Sequence, residues 1–232
     1  MTDWLGPEEW QAVALSIKVA FWSTVLSLPF GVAVAYLLAR GTFRGKQLLN
    51  GVVHLPLILP PVVTGYLLLL GFGRSGPIGA WLESTFGLIL AFRWTGAVLA
   101  AAIMGFPLMV RAIRLGFEAV DPKLEEAAAT LGASRLWVFL TVTLPLILPA
   151  LIAGSVLGFA KAMGEFGATI TFVSNIPGQT QTLPSAIYTF LQVPDGENAA
   201  LRLVAVSIVV ALGALGASEW LARRAAQRVS GA

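Results

Sequence analysis

Five long apolar stretches, separated by short charged segments, dominate the pattern of hydrophobic and polar positions along the chain. Each stretch is long enough for a membrane-spanning helix, which needs about 20 mostly apolar residues. Continuous runs of this kind do not fit the short alternating strands of a transmembrane barrel. The pattern therefore predicts an all-α polytopic membrane helix bundle with about five spanning helices. The stretches are 19–39, 47–73, 84–110 with Arg93 inside it, 136–160 and 203–218, the last extending through Trp220 and Leu221.

A further uncharged segment, 166–194, differs from these stretches because it is rich in hydroxyl and amide side chains. It is too polar for a helix that faces lipid. We predict a short helix, a loop and a second short helix, shielded by protein or facing water. The polar residues of this segment are Thr169, Thr171, Ser174, Asn175, Gln179, Thr180, Gln181, Thr182 and Ser185.

Composition narrows the class of protein further. The 232 residues are 57% hydrophobic and 12% charged, with no cysteine and one histidine. Soluble domains carry about 25% charged residues, so a soluble globule is a poor fit. The apolar content excludes an intrinsically disordered chain, and the lack of cysteine excludes a disulfide scaffold or a thiolate metal site. We expect no metal site and no cofactor bound by this chain.

Several catalytic motifs are missing from the sequence. There is no G-x4-G-K-[ST] phosphate loop, so we do not expect the chain to hydrolyse ATP itself. There is also no HExxH and no GxSxG, so we do not expect an enzyme. Any energy for transport would come from a separate subunit or from an ion gradient. The net charge of +3 is spread over loops and gives no argument for a nucleic-acid partner.

Basic residues indicate an orientation in the membrane. The 40–46 loop, the 111–135 loop and the tail that carries Arg223, Arg224 and Arg228 hold ten of the 15 Lys and Arg residues. Five crossings place all three segments on one side, which should be the cytoplasm. We therefore expect the N-terminus outside and the C-terminus in the cytoplasm.

The start of the chain does not read as a cleavable signal peptide. Asp3, Glu8 and Glu9 stand where such a peptide has basic residues. The first apolar run is most simply a retained span. We find no long internal repeat, so we predict a single transmembrane domain over 1–232, with its core at about 11–222.

The 111–135 loop is the most informative segment. Asp121 can cap a helix that begins at Pro122, which is a favoured first residue. Gly132 suits the residue after a helix end, where positive φ is common. We predict a short amphipathic helix over Pro122–Leu131.

One face of this predicted helix is apolar and its first turn is acidic, where the helix dipole favours negative charge. One interpretation is a surface helix at the membrane interface; the other is a knob that docks into a groove of another protein. The residues of this helix and its caps that we assign to the docking role are Asp121, Leu124, Glu125, Glu126, Ala127, Ala128, Leu131 and Gly132.

Spacing within this region resembles a known signature. Glu126-Ala-Ala is followed at fixed intervals by Gly132, Val142 and Leu144-Pro145. This is similar to the EAA-x3-G-x9-I-x-LP pattern of bacterial type I ABC importer permeases, with Val142 in place of Ile. The chain looks most like the molybdate permeases among them. Other supporting stretches are 7–13, 28–31, 40–46, 54–66, 106–114 and 164–178.

The resemblance implies a function and a set of partners. A permease of this kind would move molybdate, or tungstate, across the bacterial inner membrane into the cytoplasm. It would act as a homodimer in membrane lipid, with two ATP-binding cassette subunits and a periplasmic molybdate-binding protein. The 122–132 region would be the coupling helix that sits in a cleft of the ATPase. Sulfate and thiosulfate permeases share a related pattern and are the alternative.

Two charged residues lie close to the fourth apolar run. Lys161 and Glu165 are four residues apart, so they can pair on one helical face. The pair is either structural or functional, and we expect Glu165 to help hold the 164–178 segment in place.

The same polar segment is a candidate border of the transport pathway, since an oxyanion needs hydrogen-bond donors without a deep charged trap. The alternative is an outer loop packed against a partner subunit or the delivery protein. Candidate pathway or gate residues are Glu165, Thr169, Thr171, Ser174 and Asn175.

Two further classes of function remain open. An ion-coupled secondary transporter would need ionisable groups at mid-membrane and often has inverted repeats. Lys161 and Glu165 give it little support. A membrane enzyme would need a catalytic cluster, which the sequence lacks.

Overall fold

The computed structural model describes residues 4–230, with side chains up to Arg224 apart from Ala222. Within this range the chain is helical and contains no strand, which confirms the all-α prediction. The described range leaves out residues 1–3, which include Asp3, and residues 231–232 of the predicted domain. The side chain of Arg228 also lies outside it. The helices are α1 (Pro7–Arg40), α2 (Lys46–Ile58), α3 (Pro61–Phe72), α4 (Pro77–Phe86), α5 (Trp94–Ala119), α6 (Pro122–Thr130), α7 (Arg135–Val138), a π-helical segment (Phe139–Thr143), α8 (Leu144–Met163), α9 (Gly167–Val173), α10 (Leu183–Phe190) and α11 (Glu197–Ser230).

Four helical segments of the described chain are long and apolar enough to cross a membrane. A fifth crossing is formed if α2 and α3 count as one broken span, which agrees with the prediction of about five. The polar segment also folds as predicted, because α9 and α10 are short helices joined by a loop. The four continuous spans are Pro7–Arg40, Trp94–Ala119, Arg135–Met163 and Glu197–Leu221.

The second span is broken at Leu59-Pro60, where the chain bends by 113° between α2 and α3. Residues before a proline avoid the helical region, and Leu59 adopts an extended conformation with ψ 143°. Pro61 then occupies the first turn of α3, where a missing N–H costs nothing. The apolar run predicted over 47–73 is thus interrupted at the proline pair and counts as one crossing in the form of a broken span.

Two predicted span boundaries are wrong because hydropathy alone does not detect helix caps or ion pairs. The third span begins at Trp94 and not at residue 84, since Arg93 is the N-cap of α5 and α4 ends at Phe86. At its other end α5 continues to Ala119, so 111–119 belongs to the helix and not to the loop. Arg114 is accommodated there by Glu118, whose Oε1 lies 2.7 Å from its Nε.

Two of the basic segments, 40–46 and 111–135, meet at one end of the bundle. Arg40, the last residue of α1, donates to the carbonyl of Val120 just after α5. Near the start of α1, Glu9 is paired with Arg202 of α11, at 2.9 Å. The helices α1 and α5 therefore end together, beside α6, at what we call the α6 end, and α11 begins at the opposite end beside the start of α1. That this end is cytoplasmic stays a prediction.

The core is a bundle of α1, α5 and α8 in which small residues allow close helix contact. Gly154 and Gly158 on α8 are buried against α5. A Cβ atom at Gly158 would lie 2.8 Å from the Cε of Met109. The Gly154-x3-Gly158 pair is thus used for membrane helix packing. Outside this core, α11 packs on α8 and α10, and α3 packs on α9.

We expect the contact between α3 and α9 to be intolerant of added volume. A Cβ at Gly65 would lie 2.5 Å from the carbonyl oxygen of Ala168, which is backbone and cannot move aside cheaply. Gly65→Ala should lower the free energy of unfolding by about 1–3 kcal/mol through overpacking.

Thermal unfolding of the detergent-solubilised protein measures this effect. The matched control is Gly71→Ala on the same helix, where a Cβ meets nothing within 4 Å. The control should be neutral or slightly stabilising. Equal stability of the two variants would contradict the packing described here.

Candidate functional site

The helix predicted in the 111–135 loop is present as α6. Oδ1 of Asp121 accepts a hydrogen bond from the N–H of Lys123 at 3.0 Å, and Pro122 is the first residue. Gly132 follows the helix end with φ 86°, a backbone conformation that favours glycine. The helix ends at Thr130, one residue earlier than predicted.

The apolar face of α6 is open and does not pack on the bundle. No residue of Pro122–Thr130 is buried. Leu131 is 89% exposed and Leu124 is 49% exposed. Ala127 is exposed, and only Ala128 of this face is half-buried. A face of leucines and small alanines is thus available for another protein.

Glu125 points the other way and attaches α6 to the bundle. Its Oε1 accepts a hydrogen bond from the hydroxyl of Thr143 at 2.7 Å and lies 3.7 Å from the guanidinium of Arg40. That guanidinium also donates to the carbonyl of Val120 at 2.9 Å. Glu125 therefore connects α6 to the last residue of the π-helical segment and to the end of α1.

The π-helical segment ends directly before Leu144-Pro145. Pro145 has no N–H, so the carbonyl of Thr141 loses its α-helical partner. The N–H of Leu144 bonds to the carbonyl of Phe139, five residues back, where an α-helix would use the carbonyl of Leu140. Such one-turn π segments are common at functional sites. Thr143, which binds Glu125, is 2% exposed and sits at the end of this irregular turn.

At the far end of the bundle, Glu165 holds the junction of α8 and α9. Its carboxylate is 1% exposed, and one oxygen accepts from the Lys161 ammonium at 2.8 Å. The other oxygen accepts from the N–H of Ala168 in the first turn of α9, at 2.9 Å. The positive end of α9 and Lys161 thus share one buried carboxylate.

Of the other pathway candidates, the two threonines are engaged within α9. The hydroxyl of Thr169 donates to the carbonyl of Phe166 at 2.9 Å, and that of Thr171 to the carbonyl of Gly167 at 2.8 Å. Their hydroxyl protons are therefore not directed at a passing ion.

Ser174 and Asn175 lie beyond the end of α9. Ser174 is exposed and has φ 66°. The amide nitrogen of Asn175 donates to the hydroxyl of Thr189 at 2.7 Å, while its buried oxygen has no hydrogen-bond partner in the part of the chain that the structure describes. The structure therefore does not bring the candidates together as one polar lining.

Two contacts were beyond sequence reasoning. Glu125 and Thr143 are 18 residues apart, and Glu9 and Arg202 are 193 apart. Glu9 is 3% exposed, and the N–H of Gly6 also donates to it. In the sequence analysis Glu9 served only as evidence against a signal peptide.

Within residues 4–230 no group of three or more His, Cys, Asp or Glu residues is placed to hold a metal ion.

Comparison with known families gives a match over most of the chain. Residues 27–227 match the family described as binding-protein-dependent transport system inner membrane component. The molybdenum transport system permease protein ModB of Escherichia coli (strain K12) is 62% identical over 224 residues, covering 97% of this chain and 98% of that protein. The sulfate transport system permease protein CysW of Synechococcus elongatus is 38% identical and covers 86% of this chain and 70% of that protein.

Solved structures agree with the fold. A bacterial ABC transporter involved in the import of the acidic polysaccharide alginate has a chain with TM-score 0.74 and 17% identity, covering 94% of this chain and 80% of that one. An inward-facing form of the MetNI methionine ABC transporter gives TM-score 0.67 and 14% identity, with 94% of both chains covered. At these identities the similarity concerns the fold alone.

We expect Glu165 to be a structural anchor. Glu165→Gln keeps an oxygen for the N–H of Ala168 but leaves the Lys161 ammonium unpaired. Because Lys161 is 29% exposed, the cost should be about 1–3 kcal/mol, below that of breaking a fully buried pair.

Denaturation of the purified protein checks this expectation. Glu219→Gln is the matched control, since its pair with Arg223 is exposed and should cost at most about 0.5 kcal/mol. Adding Lys161→Met to Glu165→Gln should recover part of the loss. Equal stability of the Glu165 and Glu219 variants would show that the buried pair contributes nothing.

Proposed function

This chain belongs to the family of binding-protein-dependent transport system inner membrane components, and on that premise we propose that it is the permease subunit of an ATP-driven molybdate importer. It is a multi-pass inner-membrane protein with four to five spans. The observation that carries the proposal is the exposed helix α6, which contains the EAA signature and has an open apolar face. The chain has no phosphate loop of its own, so a separate subunit would have to supply the ATP hydrolysis.

Sequence identity to the relatives favours molybdate over sulfate as the transported ion. The molybdenum permease of Escherichia coli is 62% identical over nearly the whole chain. The sulfate permeases of Synechococcus elongatus and Escherichia coli are 38% and 35% identical. Both anions are tetrahedral and doubly charged, so the two transport systems need similar chemistry. We therefore keep sulfate or thiosulfate as the alternative that the experiment below tests.

The motion driven by ATP hydrolysis in a partner subunit would be passed to the spanning helices through α6. We propose that α6 of each permease in a homodimer inserts Leu124, Ala127, Ala128 and Leu131 into a cleft of one ATP-binding cassette subunit. Small side chains permit close approach of the two backbones, and Leu131 supplies apolar area. Glu126 is exposed beside this face, and its charge would help to fix the register of docking.

Glu125 would transmit the motion from α6 into the spans. It is bound to Thr143 at the π-helical turn and lies beside Arg40 at the end of α1. When the two ATPases close and α6 moves, the contacts of Glu125 would make α1 and α8 move with α6. Rigid-body tilting of packed helices is a common means of alternating access.

At the opposite end, a periplasmic binding protein would deliver the ion. Glu165, Thr169 and Thr171 would build and stiffen the wall of the pathway, because their polar atoms are engaged locally. Ser174 and Asn175 are our candidates for contact with the ion or with the partner, since Ser174 is exposed and the Asn175 oxygen lacks a partner among the described residues.

Reconstitution of the full complex tests the function. Proteoliposomes with the ATPase subunits and the binding protein should hydrolyse ATP faster, and take up the ion, when molybdate or tungstate is supplied. Sulfate at a matched concentration should give much less of both. Stronger stimulation by sulfate would make this a sulfate permease. Uptake by the permease alone, driven by an ion gradient, would make it a secondary transporter.

The docking role of α6 can be tested separately. Ala127→Glu adds a bulky charge to the exposed face and should lower the amount of ATPase that co-purifies about tenfold, equivalent to about 1.4 kcal/mol of association free energy. Ala127→Ser keeps a small side chain and is the matched control, with nearly full association expected. Normal complex formation and transport by Ala127→Glu would refute the docking role.

The same assay distinguishes docking from transmission. Glu125→Gln lies on the inward side of α6, so the ATPases should still co-purify. Its weaker hold on Arg40 and Thr143 should lower the amount of molybdate transported per ATP hydrolysed. Unchanged coupling in this variant would remove Glu125 from the transmission path while leaving the docking of α6 intact.

A further inference from the structure

A basic cavity lies at the end of the bundle opposite α6. It has a volume of about 640 Å³ and opens between the outer half of α1, the start of α5 and the loop after α9. We call it the basic vestibule. The residues that line it include Lys18, Arg74, Arg93, Trp94, Gly178 and Gln179.

Two features position positive charge in the basic vestibule. The ammonium of Lys18 lies over the ring of Trp94, 3.6 Å from its centroid, which holds a flexible side chain in place. Arg93 is the N-cap of α5, a helix of 26 residues with no acidic residue in its first turn. The positive end of that helix dipole therefore adds to the two cations.

Negative charge near the basic vestibule is sparse. None of the described residues that line it is acidic. Arg74 has one acidic neighbour, Glu83, whose Oε1 is 3.8 Å from its guanidinium. Both side chains are exposed, at 65% and 38%, so this pair is weak and leaves Arg74 largely available to an anion.

We propose that the basic vestibule is a low-affinity receiving site for a tetrahedral divalent oxyanion, a proposal that rests on the function proposed above. The ion would meet Lys18, Arg74 and Arg93 as it leaves the binding protein, with the side-chain amide of Gln179 as a further donor. Because the cations are exposed and screened by salt, binding is weak enough for the ion to move on. A concave site with charges in its lining fits a small anion better than a flat protein surface.

The experiment uses the full transport complex in proteoliposomes. The neutral variant combines Lys18→Gln with Arg93→Gln, and a charge-conserving variant combines Lys18→Arg with Arg93→Lys. Arg44→Gln removes one exposed arginine at the α6 end and matches the change in net charge of each single neutralisation. Initial molybdate uptake is measured at sub-saturating loaded binding protein, together with basal ATPase activity and the affinity of the binding protein for the complex.

We expect the neutral variant to lose uptake about tenfold at low salt, with unchanged basal ATPase activity and unchanged affinity for the binding protein. The difference from the wild type should shrink as ionic strength rises, because exposed charges are screened. The charge-conserving variant and Arg44→Gln should transport like the wild type. Each single neutralisation should show part of the loss, which keeps the test valid if the double variant does not assemble.

Three outcomes would overturn the proposal. Wild-type uptake by the neutral variant would show that these cations do not receive the ion. A parallel loss of affinity for the binding protein would make the surface a docking site for that protein. An equal loss in the charge-conserving variant would point to shape and not charge. If the wild-type complex itself fails to transport molybdate, the proposed function fails first, and the two failures are distinguished.

Discussion

Backbone hydrogen bonding in a medium without water is the constraint on which this structure depends. In hydrocarbon each N–H and C=O must find a partner within its own helix or close by. Proline removes a donor, and two irregularities of the fold lie beside prolines. The chain bends by 113° between α2 and α3 around Pro60, and it widens into a π-helical turn ahead of Pro145. Both irregularities lie where a straight span would have left carbonyls unpaired.

Two carboxylates, the buried Glu165 and the half-buried Glu125, attach short helices to long ones. Glu165 receives the N–H of Ala168 and so supports the start of α9, which has only seven residues and little stability of its own. Glu125 binds Thr143 and so fixes the inward side of α6. In each case a charged group with its partner holds a short element at a defined angle to a long one. Specific attachment of this kind suits elements that have to move as units.

Local signals in the sequence predict the short elements well, and long-range contacts are where prediction fails. The Asp121-Pro122 start and the Gly132 end define α6 within one residue, because caps act over a single turn. Hydropathy places Arg93 inside a span and 111–119 outside one, and both are wrong since it ignores capping and pairing. The links from Glu125 to Thr143 and from Glu9 to Arg202 join distant parts of the chain, so no spacing rule reveals them.

The open face of α6 has a consequence for how much of this protein a cell can keep. Leu131 and Leu124 project from an end of the bundle that, in the proposed orientation, lies in water. Exposed leucines on a helix that no partner covers attract proteases and favour aggregation. Copies synthesised in excess of the proposed ATPase partner would be removed by quality control. In the proposed complex, turnover of such orphan subunits would then set the stoichiometry together with the balance of synthesis.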